Sequence, residues 1–190
     1  FGRIDVLINN AAFGFYGTVE RTPTPVVDEI FALNFQAPLY ASQLAIPVMR
    51  AQGNGHIINI SSVAGKRGLP LSGIYSATKF ALDGLTQSMR LELKDAGIHV
   101  SLINPAATRT PFFAHSRIGD VNGEFRPIGH VQPAAIVAAA IVACIRKPAI
   151  EVYPYRSSRA VAWFNAIAPS IVDRLMTPYF RERLRAQRNS

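Results

Sequence analysis

The chain has 190 residues, enough for one domain and a short appendage. Hydrophobic residues make up 49% and charged residues 17%, a globular composition that excludes a disordered chain. The net charge is +8: Tyr155 to Ser190 hold seven Arg against two acidic residues, so +5 sits in that tail. A basic tail suits nucleic acid or an anionic membrane surface. A solvated helix face is the simpler reading, and no zinc-finger or RNA-binding signature accompanies the charge, so no nucleic-acid partner is expected. The single cysteine, Cys144, excludes a disulfide framework and any multi-cysteine metal site, and it fits a reducing, cytoplasmic setting. The longest apolar run, Ala134 to Ile145, is too short to span a bilayer. The chain opens on Phe1-Gly2-Arg3 with no charged n-region or cleavage site, so no signal peptide is expected and the numbering is expected to begin inside a longer protein.

In chain order, Asp5 to Asn9 reads as a short buried strand ending at polar Asn9-Asn10. Thr24 to Ala51 is a long helical stretch, with Thr24 as N-cap, Pro25 in the first turn, and a bend or break expected from Pro38 and Pro47. Gly55 to Ser61 is the second strand, and Gly65 to Gly68 a loop. Ser72 to Ala96 is a long helix that Gly97 is suited to cap. Ile98 to Asn104 is the third strand, and Pro105 to Val131 a loop-rich stretch. Pro133 to Arg146 is a helix, and Ala149 to Tyr153 a fourth strand. Strands alternating with helices predict a parallel sheet with right-handed crossovers, whose ligand crevice lies beyond the carboxyl ends of the strands.

Those ends carry unusual chemistry. Tyr75 and Lys79 are four residues apart in a helix and share a face. A nearby ammonium favours phenolate and would lower the tyrosine pKa, making Tyr75 a usable general acid or base. Ser62, 13 residues before Tyr75, ends a strand where its hydroxyl can meet a carbonyl or alcohol oxygen. Pro38 has no N–H for the carbonyl of Asn34, which therefore needs another partner, with water the obvious one. His56, His99, His115 and His130 have no metal spacing, so no metal is expected, and Cys144 reads as inert core.

The segments NNAA at 9–12, ALN at 32–34, NISSVAG at 59–65, YSATK at 75–79 and NPAATRT at 104–110 together resemble the short-chain dehydrogenase/reductase family. The resemblance covers about residues 1–153 and implies a Rossmann-type doubly wound α/β sheet whose amino-terminal strands are missing from this chain. Residues 1–153 would be a partial dinucleotide-binding catalytic domain, and 154–190 an amphipathic, basic helical extension. By motif position the family's catalytic tetrad falls on Asn34, Ser62, Tyr75 and Lys79. Tyr75 would exchange the proton with substrate, Ser62 orient the substrate oxygen, Lys79 lower the Tyr75 pKa and hold the nicotinamide ribose, and Asn34 hold a relay water by its carbonyl. The remaining NAD or NADP contacts would come from Asn10, Ala11, Ala12, Pro105, Ala106, Thr108 and Thr110.

The sequence departs from the family at Ala12 and Ala106, where Gly is usual, and it lacks the glycine-rich TGxxxGxG turn. That turn cradles the pyrophosphate, so roughly 60–90 residues are expected before Phe1, and the 190 residues alone are expected to be inactive. The resemblance implies an NAD(P)-dependent oxidoreductase interconverting a hydroxyl and a carbonyl on a small, apolar substrate. The rivals are a non-catalytic interaction or regulatory protein of the same fold, and a peripheral membrane protein binding through its tail. Phe112-Phe113 are candidates for an apolar substrate contact, with plain loop packing as the other reading. Asp83, Gly84 and Gln87 lie on the helix that in the family packs across a homo-oligomer interface. In the tail, Val161, Phe164, Ala168, Ile171, Leu175, Met176, Tyr179 and Phe180 recur at helical steps, interrupted at Pro169. This face is expected to pack on the protein near the substrate entrance, with insertion into an anionic membrane as the competing reading.

Overall fold

The computed structural model describes residues 2–121 and 131–188. The chain begins with strand β1 (Val6–Asn9) and a two-residue strand β2 (Phe15–Tyr16). Helix α1 (Thr24–Phe31) follows, with Pro23 rather than Thr24 at the cap position and Pro25 in the first turn. Residues Ala32–Gln36 then form a π-helical turn that leads into α2 (Ala37–Gln52). The break expected at Pro38 is this wide turn: the N–H of Ala37 reaches back five residues to the carbonyl of Ala32. Pro47, by contrast, is accommodated inside α2.

Strand β3 (Gly55–Ile60), a 3₁₀ turn at Val63–Gly65, and α3 (Gly73–Glu92) come next. A second 3₁₀ turn, Lys94–Ala96, ends on Gly97, whose left-handed φ of +70° matches its predicted capping role. No other residue type fits there, because a Cβ would sit 2.4 Å from the Gly53 carbonyl oxygen. Strand β4 (Ile98–Ile103) leads into the region predicted to be loop, which holds short elements: β5 (Thr108–Arg109), α4 (Phe112–His115) and β6 (Arg117–Ile118). After β7 (Gln132–Pro133), helix α5 (Ala134–Arg146) and strand β8 (Glu151–Val152) complete the sheet. Helices α6 (Arg156–Ile167) and α7 (Pro169–Arg188) form the tail.

Four strands pair in parallel in the order β1-β3-β4-β8, with Val6 opposite His56 and Ile57 opposite Val100. Alternation along β3 feeds two cores. Ile57 joins Met49, Met89, Leu93, Ile98 and Val100 under α2 and α3. Ile58, Ile60 and Ile103 pack with Cys144 of α5 on the opposite face. Helices therefore cover both faces, as a doubly wound sheet requires. Cys144 is a core residue, and His56 is buried against Ser101, its Nε2 lying 2.8 Å from the hydroxyl. Burial, with His99 adding a smaller effect, holds His56 down at about 4. No cluster of three or more metal-binding side chains occurs among the described residues, and His130 lies outside them.

The short strands matter because they fix the walls of the crevice. β2 pairs with β6 and β5 with β7, both in parallel. Asp120 reinforces the first pair by accepting from the Thr18 backbone at 2.8 Å and from its hydroxyl at 2.6 Å. Arg117 adds an ion pair to Glu29.

Candidate active site

A cavity of about 370 Å³ opens beyond the carboxyl ends of β1, β3 and β4. Of the predicted site residues, Asn10, Ala12, Ser62, Tyr75, Lys79, Pro105, Ala106, Thr108 and Thr110 line it, while Ala11 and Asn34 do not. Helix α3 is aimed by the turn before it. Leu71 adopts a left-handed φ of 65°, and its carbonyl accepts from the Gly17 N–H at 2.9 Å. The first turn of α3 thus places Tyr75 at the cavity, with Lys79 one turn deeper on the same face.

Ser62 caps the 3₁₀ turn, its Oγ accepting from the Ala64 N–H at 3.1 Å. Its O–H donor is left for Tyr75 or a ligand. Lys79 Nζ is buried and donates to the Ile60 carbonyl at 2.9 Å, 5.8 Å from the centre of the Tyr75 ring. The lowered tyrosine pKa expected from this lysine is not what the geometry gives. Burial pushes the Tyr75 phenol up to about 12, with only the Ser62 hydroxyl acting against it. Lys79 is pulled down to about 8 by burial, which the Asp83 carboxylate partly offsets. Near neutral pH the pair is a neutral phenol and an ammonium.

The Lys79 shift has a consequence for stability. Its folded-state value of about 8 lies below its ordinary 10.5, so between those values the unfolded chain holds more protons. The burial penalty is fully present below pH 8 and fades as the pH rises toward 10.5. At 1.36 kcal/mol per unit, the gain is about 3 kcal/mol. Denaturant unfolding of the wild type and of Lys79→Met at pH 7 and pH 10 should show that relative gain only in the wild type. Parallel pH dependence in the two proteins would contradict the assignment.

Asn34 is fully buried in the π-helical turn, and its side chain is committed to structure. Its Oδ1 accepts from the Phe13 N–H at 3.0 Å, and its Nδ2 donates to the Phe13 carbonyl at 2.9 Å and to Thr78 Oγ1 at 3.1 Å. Thr78 in turn donates to the Tyr75 carbonyl at 2.8 Å. Asn34 therefore ties the segment after β1 to the helix that carries Tyr75 and Lys79.

The family model described as short chain dehydrogenase matches residues 1–120. The chain belongs to the short-chain dehydrogenase family. The oxidoreductase YxnA of Bacillus subtilis, itself uncharacterised, is 32% identical over all of this chain and 54% of its own length. A short-chain dehydrogenase from Streptomyces avermitilis superposes with a TM-score of 0.77 at 26% identity, covering 95% of this chain and 71% of that one. Another, from Sphingobium yanoikuyae in complex with NADPH, gives 0.74 at 27% identity, covering 90% and 65%. The chain spans about half the length of the curated relatives it matches, such as YxnA.

Several features of this site were not visible in the sequence. Tyr16 is a second, buried tyrosine lining the cavity. Burial, then the neighbouring Tyr75, push its phenol above the ordinary range, against a hydrogen bond with Ser116. Ser72, Val137, Ala138 and Ile141 also line the wall, although no motif marks them. Phe112 and Phe113 both reach the cavity, and the Phe112 ring centre lies 5.7 Å from that of Tyr75.

Asp83 departs from its expected interface position: it is buried and pairs with Lys66 at 2.8 Å. Lys66 also pairs with Glu151 of β8, which accepts from Asn104 at 3.1 Å. This cluster joins the turn after Ser62 to α3 and to the sheet edge. Gly84 and Gln87 are exposed, as an interface position requires.

The tail differs most from expectation. It contacts the same turn after Ser62: Arg67 donates to Asn165 at 2.9 Å and pairs with Asp173, and Asn165 donates to the Lys66 carbonyl at 3.0 Å. Tail side chains do not line the described cavity. The predicted apolar face is split. Phe180 is buried and Met176 half-buried, whereas Val161, Phe164, Ile171 and Leu175 are exposed, and the Tyr179 side chain lies outside the described set. The face runs past its own protein because the inner side of α6 is formed by Ser158, Ala162 and Asn165.

Proposed function

We propose that the protein is an NAD(P)-dependent oxidoreductase interconverting a hydroxyl and a carbonyl on a small, apolar organic substrate. The observation that carries this reading is the convergence of Tyr75, Ser62 and Lys79 on one mainly apolar cavity at the carboxyl edge of a parallel sheet. The donor set fits the nicotinamide–ribose end of such a cofactor. Lys79 is a buried cation with one backbone partner, leaving two donors for ribose hydroxyls. Thr108 and Thr110 line the same cavity and would meet the carboxamide. The NADPH-bound Sphingobium relative supports this class of cofactor. When bound, the nicotinamide supplies or accepts the hydride.

The chain's own residues manage the proton and the substrate oxygen. Ser62 donates to that oxygen and orients it beside the Tyr75 hydroxyl. A phenol held at about 12 is protonated at neutral pH, so the described site is set to give a proton to a carbonyl being reduced. The Lys79 ammonium stabilises the phenolate left behind. The Asn34 carbonyl, denied a donor by Pro38, would hold the water through which Tyr75 is reprotonated. Phe112, Phe113 and Ile141 give the apolar wall that favours an apolar substrate. A homo-oligomer is also proposed: Tyr40 and Leu44 on α2 and Phe80 and Leu91 on α3 are exposed, and a Cβ at Gly84 would meet nothing within its own chain.

The test is consumption of NADH or NADPH by the whole protein against ketones graded in polarity. Turnover rising with the apolar character of the ketone is the expected result. Failure of both cofactors to bind the folded protein would overturn the reading.

A further inference from the structure

Helix α6 is amphipathic in the reverse sense. The side it turns to the protein is small or polar, with Asn165 held by Arg67 and the Lys66 carbonyl. The side it turns to solvent is apolar: Trp163 is 60% exposed, Ile167 81%, and Phe164 also lies open. Beyond the break at Ala168, α7 adds an exposed apolar pair of its own, Ile171 and Leu175, four residues apart and Leu175 70% exposed. A water-facing surface does not gain by this arrangement, because each such side chain forgoes the stabilisation that burial would bring.

What borders the strip decides its partner. Arg156, Arg159, Arg174 and Arg181 are all exposed. The Arg159 guanidinium lies 5.4 Å from the centre of the Trp163 ring. Arg174 and Arg181 are seven residues apart, so at about 100° per residue they share one side of α7, adjacent to Ile171 and Leu175. A second copy docking here would bring two such arginine sets together. A partner that takes apolar side chains and carries negative charge at its surface relieves both. No helix among the described residues is long and apolar enough to cross a membrane.

We infer that α6 and α7 form an interfacial membrane-binding surface: the strip from Trp163 to Leu175 inserts among the acyl chains of an anionic bilayer, and the flanking arginines meet its headgroups. The aromatic-and-arginine pair of Trp163 and Arg159 suits the headgroup level, where one end of a side chain is dry and the other wet.

Trp163 is the one tryptophan of these 190 residues and lies in the strip, so its emission reports on insertion, with Trp163→Phe as the blank. The full protein is mixed with vesicles of phosphatidylcholine alone or with phosphatidylglycerol added. Binding is followed by co-sedimentation and by Trp163 emission. The expected result is a blue shift and co-sedimentation with anionic vesicles, weakened by salt. Ile167→Asp with Leu175→Asp should reduce binding roughly a hundredfold or more, and Arg159→Gln and Arg174→Gln about fivefold each. All four positions are exposed, so circular dichroism should show the variants folded. Three outcomes would overturn the inference. These are no shift with anionic vesicles, equal binding to neutral ones, or a wild-type dimer that Ile167→Asp dissociates, which would make a second copy the occupant.

Discussion

Tyr75→Phe is expected to lower turnover by roughly 10²–10⁴-fold while leaving cofactor affinity within a small factor of wild type. The substitution removes one hydroxyl and keeps the ring, so the packing of Tyr75 against Phe112 survives. What goes is the group best placed to give a proton to the substrate oxygen. Steady-state kinetics and a cofactor titration separate the two effects, and turnover near the wild-type rate would remove Tyr75 from the mechanism. Ser62 cannot substitute as the proton donor: its ordinary alcohol is a far weaker acid than a phenol.

Asn34→Ala is expected to destabilise the fold by about 3–4 kcal/mol. The truncation leaves the Phe13 N–H and carbonyl without the partners they have in the wild type, and each unsatisfied buried group costs about 1–3 kcal/mol. Denaturant unfolding measures the loss. A change under about 1 kcal/mol would show that Phe13 finds other partners and that Asn34 is no clamp. Stability of this size at a residue placed in the relay means that a loss of activity in Asn34→Ala cannot be assigned to chemistry alone. Activity per folded molecule is the quantity to compare.

The long elements were legible because their signals are local. β3 is an isoleucine-rich segment between Gly55 and the polar Ser61-Ser62, and it is buried throughout, His56 and Asn59 included. Gly97 announced the end of its helix because few residues tolerate a left-handed φ. The motif residues that converge on the cavity were legible too, through the family resemblance. The paired strands β2–β6 and β5–β7 were not, since a two-residue strand has no period and its partner lies far along the chain. The Lys66–Asp83–Glu151 cluster was hidden for the same reason. The Tyr75 pKa was misjudged because spacing reports a neighbouring charge and is silent about desolvation. Periodicity likewise found the apolar stripe of the tail without revealing which way it faces.

The π-helical turn at Ala32–Gln36 is, in effect, a one-residue insertion in what would otherwise be one long helix. Each residue advances an α-helix by about 100°, so the extra one sets the angular phase between two surfaces. Upstream of it, Ile30 faces the core; downstream, Tyr40 and Leu44 face outward. Deleting a residue here would restore regular hydrogen bonding but rotate everything beyond it, and no choice of side chain on α2 could compensate. The site and the outer helical surface therefore share one reading frame, and an insertion or deletion tolerated by either must be tolerated by both.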